Sequence, residues 1–537
     1  SLAQRRDLMA SFIDSDNDVK NRAPPQVHFK YDTRKYACST ESCPFQEYRD
    51  FMLTSTYQLE EDSYTRDGTA ILQRVVAGND EDENGPQTFL LKDEDIVAFE
   101  AGILDAQWSY RLIDQEPVVA LASSGGQIYS FSLQTNQASE LSNAVTFSLK
   151  EATTTPEQVE GGNTLFLALD WNNYAETCES KYRIAVSQSD GKSSIWRYGE
   201  SSLLKEYEWD AHSYHGCPIE VWTVAWHRHA SDVLVTGADD HQLKCWDVRM
   251  DEAALDLKND GGAEPRTVPG ASRREHAEGV TSAAFHPSLE HLLVSGSYDQ
   301  CVRLWDFRNM KQPVTKIDAG GGIWRLKWHP EQPYLLAVAC MHGGAKILNL
   351  ASEISTQVKK EGTEEHKLID SVRGEKEEDI LRTNFELTER FDLHHSMVYG
   401  IDWVFPPSPP SSKNENNLGE VDGLKYHSST TYGSIYKFIK NVDDDDTIFP
   451  SPEFSSLAAK VQSISTLQPC DEKKDNGLNL TPSNKEKENI GNDSQKVVPR
   501  SPPVCQEVST MLLASCSFYD HCSYLWSTDS MKSSTEF

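Results

Sequence analysis

Apolar and polar positions alternate with period two in short runs along most of the chain, and turn residues part the runs. That pattern predicts half-buried strands rather than helices. Residues 318–350 show it most completely. Ile323, Leu326 and Trp328 mark a first apolar face, and His329-Pro330 a turn. A β-rich run follows at 334–340, then a glycine-containing turn at 341–344 and a second alternating run at 345–350. Three short strands joined by tight turns cannot bury an apolar face alone, so the unit needs neighbours of its own kind. Those neighbours are predicted at 51–91, 103–133, 165–198, 221–249 and 280–308. A last unit starts at 394–403 and resumes at 511–526. The count is about seven, a number that closes a ring.

Two of the units can be laid on each other residue by residue. Thr236 matches Ser295, Asp240 matches Asp299, and Trp246-Asp247 matches Trp305-Asp306, with His212 and His276 upstream. This is the WD40 repeat. His212, Thr236, Asp240 and Trp246 look like a catalytic set, and so do His276, Ser295, Asp299 and Trp305. In such a repeat they form one hydrogen-bonded chain that satisfies buried polar atoms. Both sets are therefore read as structural. The expected fold is all-β, a seven-bladed WD40 β-propeller. Residues 1–26 form an expected disordered segment, and 27–405 carry blades one to six and the start of blade seven. Residues 406–508 form a low-complexity insertion. The last blade ends over 509–527, with a tail at 528–537.

Charge narrows the partners. The chain has 537 residues and a net charge of -32. Phosphate backbones need a basic surface, so nucleic acid is not expected, and a cationic partner is favoured. The 11 cysteines are odd in number and mostly set inside apolar runs, as free thiols in a reducing compartment are. No apolar run reaches membrane-spanning length, and the first residues lack an apolar signal core. A soluble, cytoplasmic monomer is expected, without a membrane partner. The acidic runs at 14–18 and 80–85 depart from a calcium loop at its sixth or twelfth position. No metal or cofactor is expected.

Several segments are more specific than the repeat itself. They are residues 295–314, 320–330 (GGGIWRLKWHP), 339–348, 396–403 (SMVYGIDW) and 514–526 (ASCSFYDHCSYLW), with 54–61 and 168–171 nearer the front. In this order, and with a long insertion before the last segment, the chain resembles the diphthine methylesterase family of WD40 proteins. The resemblance implies hydrolysis of the methyl ester of methylated diphthine on translation elongation factor 2. The products are diphthine and methanol, and the step belongs to diphthamide biosynthesis.

No G-x-S-x-G elbow and no H-E-x-x-H helix supports ester hydrolysis independently. A propeller assembles sites where first strands begin and where second strands turn into third. His342, His395 and His521 are expected there as general-base candidates. Asp520 would orient the histidine, and Arg325 would polarise the ester carbonyl. Trp222, Trp324 and Tyr399, with Tyr519 at the same rim, would receive the trimethylammonium group that the resemblance implies. The competing reading is a non-enzymatic scaffold, for example a ubiquitin-ligase substrate receptor. The W-D-x-R patterns at 246–249 and 305–308 are the motif for it.

Overall fold

A computed structural model describes residues 25–60, 65–78, 88–137, 145–155, 164–172, 174, 182–199, 202–249, 266–267, 273–351, 384–406 and 510–529. The expected disordered segment, nearly all of the insertion, most of the tail and the two acidic runs lie outside the described residues.

Seven four-stranded antiparallel sheets follow one another along the chain. Each begins with an innermost strand. These are Tyr36–Ser42, Ile103–Trp108, Phe166–Trp171, Val221–Trp226, Val280–Phe285, Arg325–Trp328 and Val398–Val404, for blades one to seven. The fold is the expected seven-bladed propeller. The innermost strands start at the upper face, where the b–c turns also lie, and run to the a–b turns of the lower face.

Two boundaries differ from the sequence reading. Asp318 closes the outer strand of blade five, Thr315–Asp318, and blade six starts at Arg325. Glycines 320–322 make the step between them, because that passage runs against the Cys340 carbonyl and Gly343, where a Cβ does not fit. The strand Gln26–Asp32, at the start of the span 27–405 expected to hold blades one to six and the start of blade seven, is the outer strand of blade seven. It pairs antiparallel to Cys522–Asp529, with Val27 opposite Trp526 and Tyr31 opposite Ser523. The two ends of the propeller thus close the ring by hydrogen bonds.

The core lies between blades. Trp108, Trp171, Trp226 and Trp403 stand at the ends of innermost strands and are fully buried. Three of their indoles donate back to the preceding blade. Trp108 reaches the Glu41 carbonyl at 3.2 Å, Trp171 that of Gln107 at 3.0 Å, and Trp403 that of Lys327 at 3.0 Å. These bonds align the innermost strands. Glu41, Gln107, Asp170, Ala225, Ala284, Lys327 and Asp402 then share one level of the ring, in blade order.

Three lower turns are tied by histidines that directly follow the innermost strands. The Nδ1 atoms of His227, His286 and His329 each accept two backbone N–H groups, at 2.8–3.1 Å. An imidazole accepts at Nδ1 only when that nitrogen carries no proton. Burial lowers all three pKa values to about 4, so the accepting form prevails at neutral pH.

Candidate functional site: the central channel and its upper rim

The sets that look catalytic sit inside blades. In blade four, His212 Nε2 pairs with Thr236 Oγ1 at 2.7 Å, Nδ1 with Asp240 at 2.9 Å, and Trp246 Nε1 donates to the same Thr236 oxygen at 2.8 Å. In blade five, His276 and Trp305 both meet Ser295 Oγ, at 2.7 and 2.8 Å, and Arg303 bridges His276 to Asp299. Asp299 lies well below the usual carboxylate range. Its burial is outweighed by His276, the Ala277 N–H and Arg303. Blade seven has the same chain in His394, Ser515 and Trp526. The blade histidine there is His394; His395 stands exposed beside it.

That chain takes Asp520 with it. Its carboxylate receives the Ser517 hydroxyl, the Cys522 N–H and the His395 N–H. Asp520 is therefore a turn lock, matching Asp240 and Asp299. His521 follows in the left-handed region at φ 53°, as His241 and Gln300 do after their turn aspartates. This turn has one residue more than that of blade five (CSFYD against GSYD), and His521 is still not pushed outward. Its ring lies edge-on to Tyr36 at 4.8 Å, and its Nε2 is buried without a partner among the described residues. His342 is exposed in the b–c turn of blade six. Partial burial lowers its pKa, and the turn is held against blade seven by the Met341–Val398 bridge.

The four predicted aromatic residues do come together. Trp222 touches Trp324 at 5.6 Å between ring centres, and Trp324 stacks on Tyr399 at 4.5 Å. Tyr399 meets Phe518 at 4.8 Å, and Phe518 meets Tyr519 at 5.0 Å. Tyr298, Tyr36 and Tyr57 join the same cluster. The result is a continuous aromatic belt over blades four to seven and one. Its rings occupy one another's faces, so it is a paved surface rather than an open cage.

Below the belt lies the central channel, whose charged residues other than Arg325 sequence reasoning missed. Arg325 and Lys327 of blade six both cross it. Arg325 pairs with Asp105 of blade two at 2.9 Å; Lys327 pairs with Glu41 of blade one and lies 3.4 Å from Gln107 Oε1. A cavity of about 260 Å³ adjoins these pairs. Its opposite wall is small: Thr223 and Ala225 from blade four, Ser282 and Ala284 from blade five. Its lining continues to the lower turns, where Pro44 and Pro330 are exposed.

The channel carboxylates are not alike. Asp105, Asp170 and Asp402 each accept a backbone N–H of the next blade's innermost strand, from Leu169, Trp226 and Ser42, at 2.7–3.0 Å. They staple blades together. Asp170 also holds the Tyr110 hydroxyl and lies 3.4 Å from Arg228, which rests over the Tyr110 ring. Glu41 makes no such staple among the described residues. Burial pushes Glu41 up to about 8, against the pull of Lys327. Burial likewise raises Asp105 and Asp402. For Lys327 the nearby Glu41 and Asp402 outweigh burial and leave the ammonium favoured. The signal that marks these positions is a charged residue one or three places before the strand-ending aromatic, as in LDAQW, LDW, RLKW and IDW.

The W-D-x-R arginines are engaged locally. Arg249 grips Asp247, and Arg308 grips Asp306.

The family model "WD domain, G-beta repeat" matches residues 206–247 and 268–306. These spans hold the blade-four and blade-five sets. The chain is similar to the diphthine methyltransferase of Mus musculus, with 27% identity over 94% of both chains. It is 26% identical to the Homo sapiens protein of that name, over 92% of this chain and 97% of the other. To the diphthine methyltransferase homolog of Dictyostelium discoideum it is 29% identical, over 61% of this chain and 74% of the other. Propeller, repeat and near-full-length likeness agree: the chain belongs to the WD40-repeat family of the diphthine methyltransferases.

Proposed function

We propose that this protein is an esterase of diphthamide biosynthesis. It hydrolyses the methyl ester of methylated diphthine on translation elongation factor 2 in the cytoplasm, giving diphthine and methanol. Relatives of nearly equal length are named for acting on diphthine, which supports the substrate class. The observation that carries the reading is the preformed channel cavity, in which two cations paired with buried carboxylates face a wall of small residues. A quaternary ammonium beside an ester needs both kinds of neighbour. Asp402, which also lines the cavity, offers negative charge to the ammonium. Arg325 and Lys327 offer N–H donors to a carbonyl oxygen that gains charge in the transition state. The low dielectric of the site strengthens both.

The test is incubation of the purified protein with elongation factor 2 carrying methylated diphthine, followed by intact mass. Loss of one methylene per modified factor is the expected result. An unchanged mass, with the propeller folded, overturns the reading and leaves a scaffold whose contact surface is the aromatic belt.

A further inference from the structure

Resting on the ester-hydrolysis reading, we infer that Glu41 is the general base that draws a proton from the attacking water inside the channel. Among the channel carboxylates of the described residues it is the one that accepts no backbone N–H of a neighbouring blade. Asp105, Asp170 and Asp402 are spent on backbone N–H groups of neighbouring blades, while Glu41 is held by the side-chain ammonium of Lys327. Its carboxylate lines the cavity, at the level where Ala225 and Ala284 leave room for a ligand. The titratable groups that face it are Lys327 of blade six, Asp402 of blade seven, and Asp105 and Tyr110 of blade two. Burial puts its proton affinity near 8, suited to gaining and giving up a proton near neutral pH.

The step balances without a further reactant. The Glu41 carboxylate takes one proton from water as the water oxygen bonds to the ester carbonyl carbon. The carbonyl oxygen becomes an oxyanion facing Lys327 and Arg325. The bond from that carbon to the methoxy oxygen then breaks as the oxyanion collapses. Glu41 returns its proton to the departing oxygen, and methanol leaves. The carboxylic acid product loses its own proton to solvent. The imidazoles of the rim take no part.

The experiment is single-turnover hydrolysis of methylated-diphthine elongation factor 2 from about pH 6 to about pH 9, with thermal midpoints recorded alongside. Wild-type rate is expected to rise with pH and level off above about 8. Glu41→Gln is expected to lose about 100-fold or more in kcat, with KM within about threefold, and to lose the pH-dependent rise. Should Glu41→Gln not fold, Glu41→Asp carries the same test. It keeps the carboxylate but draws it back, so a lowered rate on a shifted profile is expected. Ala284→Leu leaves every charge in place and fills the cavity, and it is expected to lose rate on an unshifted profile. A Glu41→Gln protein within about threefold of wild type on the same profile places the base elsewhere and overturns the inference, while the esterase reading stands. If wild type itself leaves the mass unchanged, the esterase reading falls and the inference falls with it.

Discussion

Trp324 and Arg325 are neighbours in sequence, yet they belong to two regions built on different physics. Trp324 joins the aromatic belt, where each ring leans on the next and no single contact is indispensable. Such ring pairs contribute about 0.5–1.5 kcal/mol each beyond burial, and losing one leaves its neighbours packed. Arg325 enters the channel, where the paired charges are largely out of water and depend on a particular partner a quarter of the ring away or more. There the loss of one group strands another. The difference shows where chemistry is held and where it is only approached. A paved surface tolerates change and suits contact with a large partner. A buried set of opposed charges fixes geometry and shifts proton affinities, as a reacting site requires.

The sharpest way to break this comparison is to remove a channel cation. Lys327→Met keeps most of the side-chain length but leaves Glu41 and Asp402 facing each other without the ammonium. Loss of about 3–5 kcal/mol of unfolding free energy is expected, as for a broken buried pair. The double variant Lys327→Met with Glu41→Gln removes the orphaned charge and is expected to recover part of that loss. Urea unfolding of wild type, the two single variants and the double gives the coupling directly. A cycle with no coupling would mean that the pair is solvent-screened and the channel is no special environment.

Acid sharpens the comparison from the other side, because the lower mouth of the channel is tied by imidazoles and the belt is not. His227, His286 and His329 have folded pKa values lowered to about 4 from 6.5. A lowered pKa means the stabilisation is present above 6.5 and is lost as pH falls through about 4. Glu41 acts with the opposite sign: its raised value gives stabilisation below its unfolded pKa that is lost as pH rises through about 8. Thermal midpoints should therefore fall from pH 6.5 toward 4 by proton uptake at the turns. His329→Leu strands the Glu331 and Gln332 N–H groups. A cost of about 1–3 kcal/mol at neutral pH is expected, with a shallower acid limb than wild type. An unchanged acid limb in that variant would remove the histidine from the account.

How much of this was legible follows from the range of each signal. The seven blades were readable because a strand pairs mostly with its chain neighbour, and period-two runs with turns between them carry that information locally. The blade-four and blade-five sets were readable because two copies lie in register. The channel was not, because its pairs join residues such as Glu41 and Lys327 that only ring closure brings together. The ring-closing role of Gln26–Asp32 was not legible for the same reason: its partner Cys522–Asp529 lies at the far end of the chain. Arg325 was picked for the rim and found in the channel. The rise from upper face to interior takes a single residue along Trp324-Arg325, and sequence spacing does not resolve which side chain turns inward. Asp520 was weighed as an orienting group for a histidine. Its match to Asp240 and Asp299 was the stronger signal, and the Ser517 and Cys522 contacts follow it.

The smallest expected effect is at the belt, and it tests the belt's role as a contact surface. Tyr519 is exposed and leans on Phe518 and Tyr36. Among the described residues its hydroxyl group makes no hydrogen bond, and only its backbone N–H is engaged, by Ser396. Tyr519→Ala is expected to cost less than about 1 kcal/mol of stability, since surface substitutions away from cores and networks rarely cost more. His342→Ala, in an exposed turn of the same rim, is expected to behave alike. If the belt receives the protein substrate, both variants raise KM for the elongation factor by several-fold and leave kcat near wild type, because binding that is equal in ground and transition states moves KM alone. A large fall in kcat for His342→Ala would reverse the assignment of the two regions. It would bring the base up to the rim and leave the channel charges as a closure device for the ring.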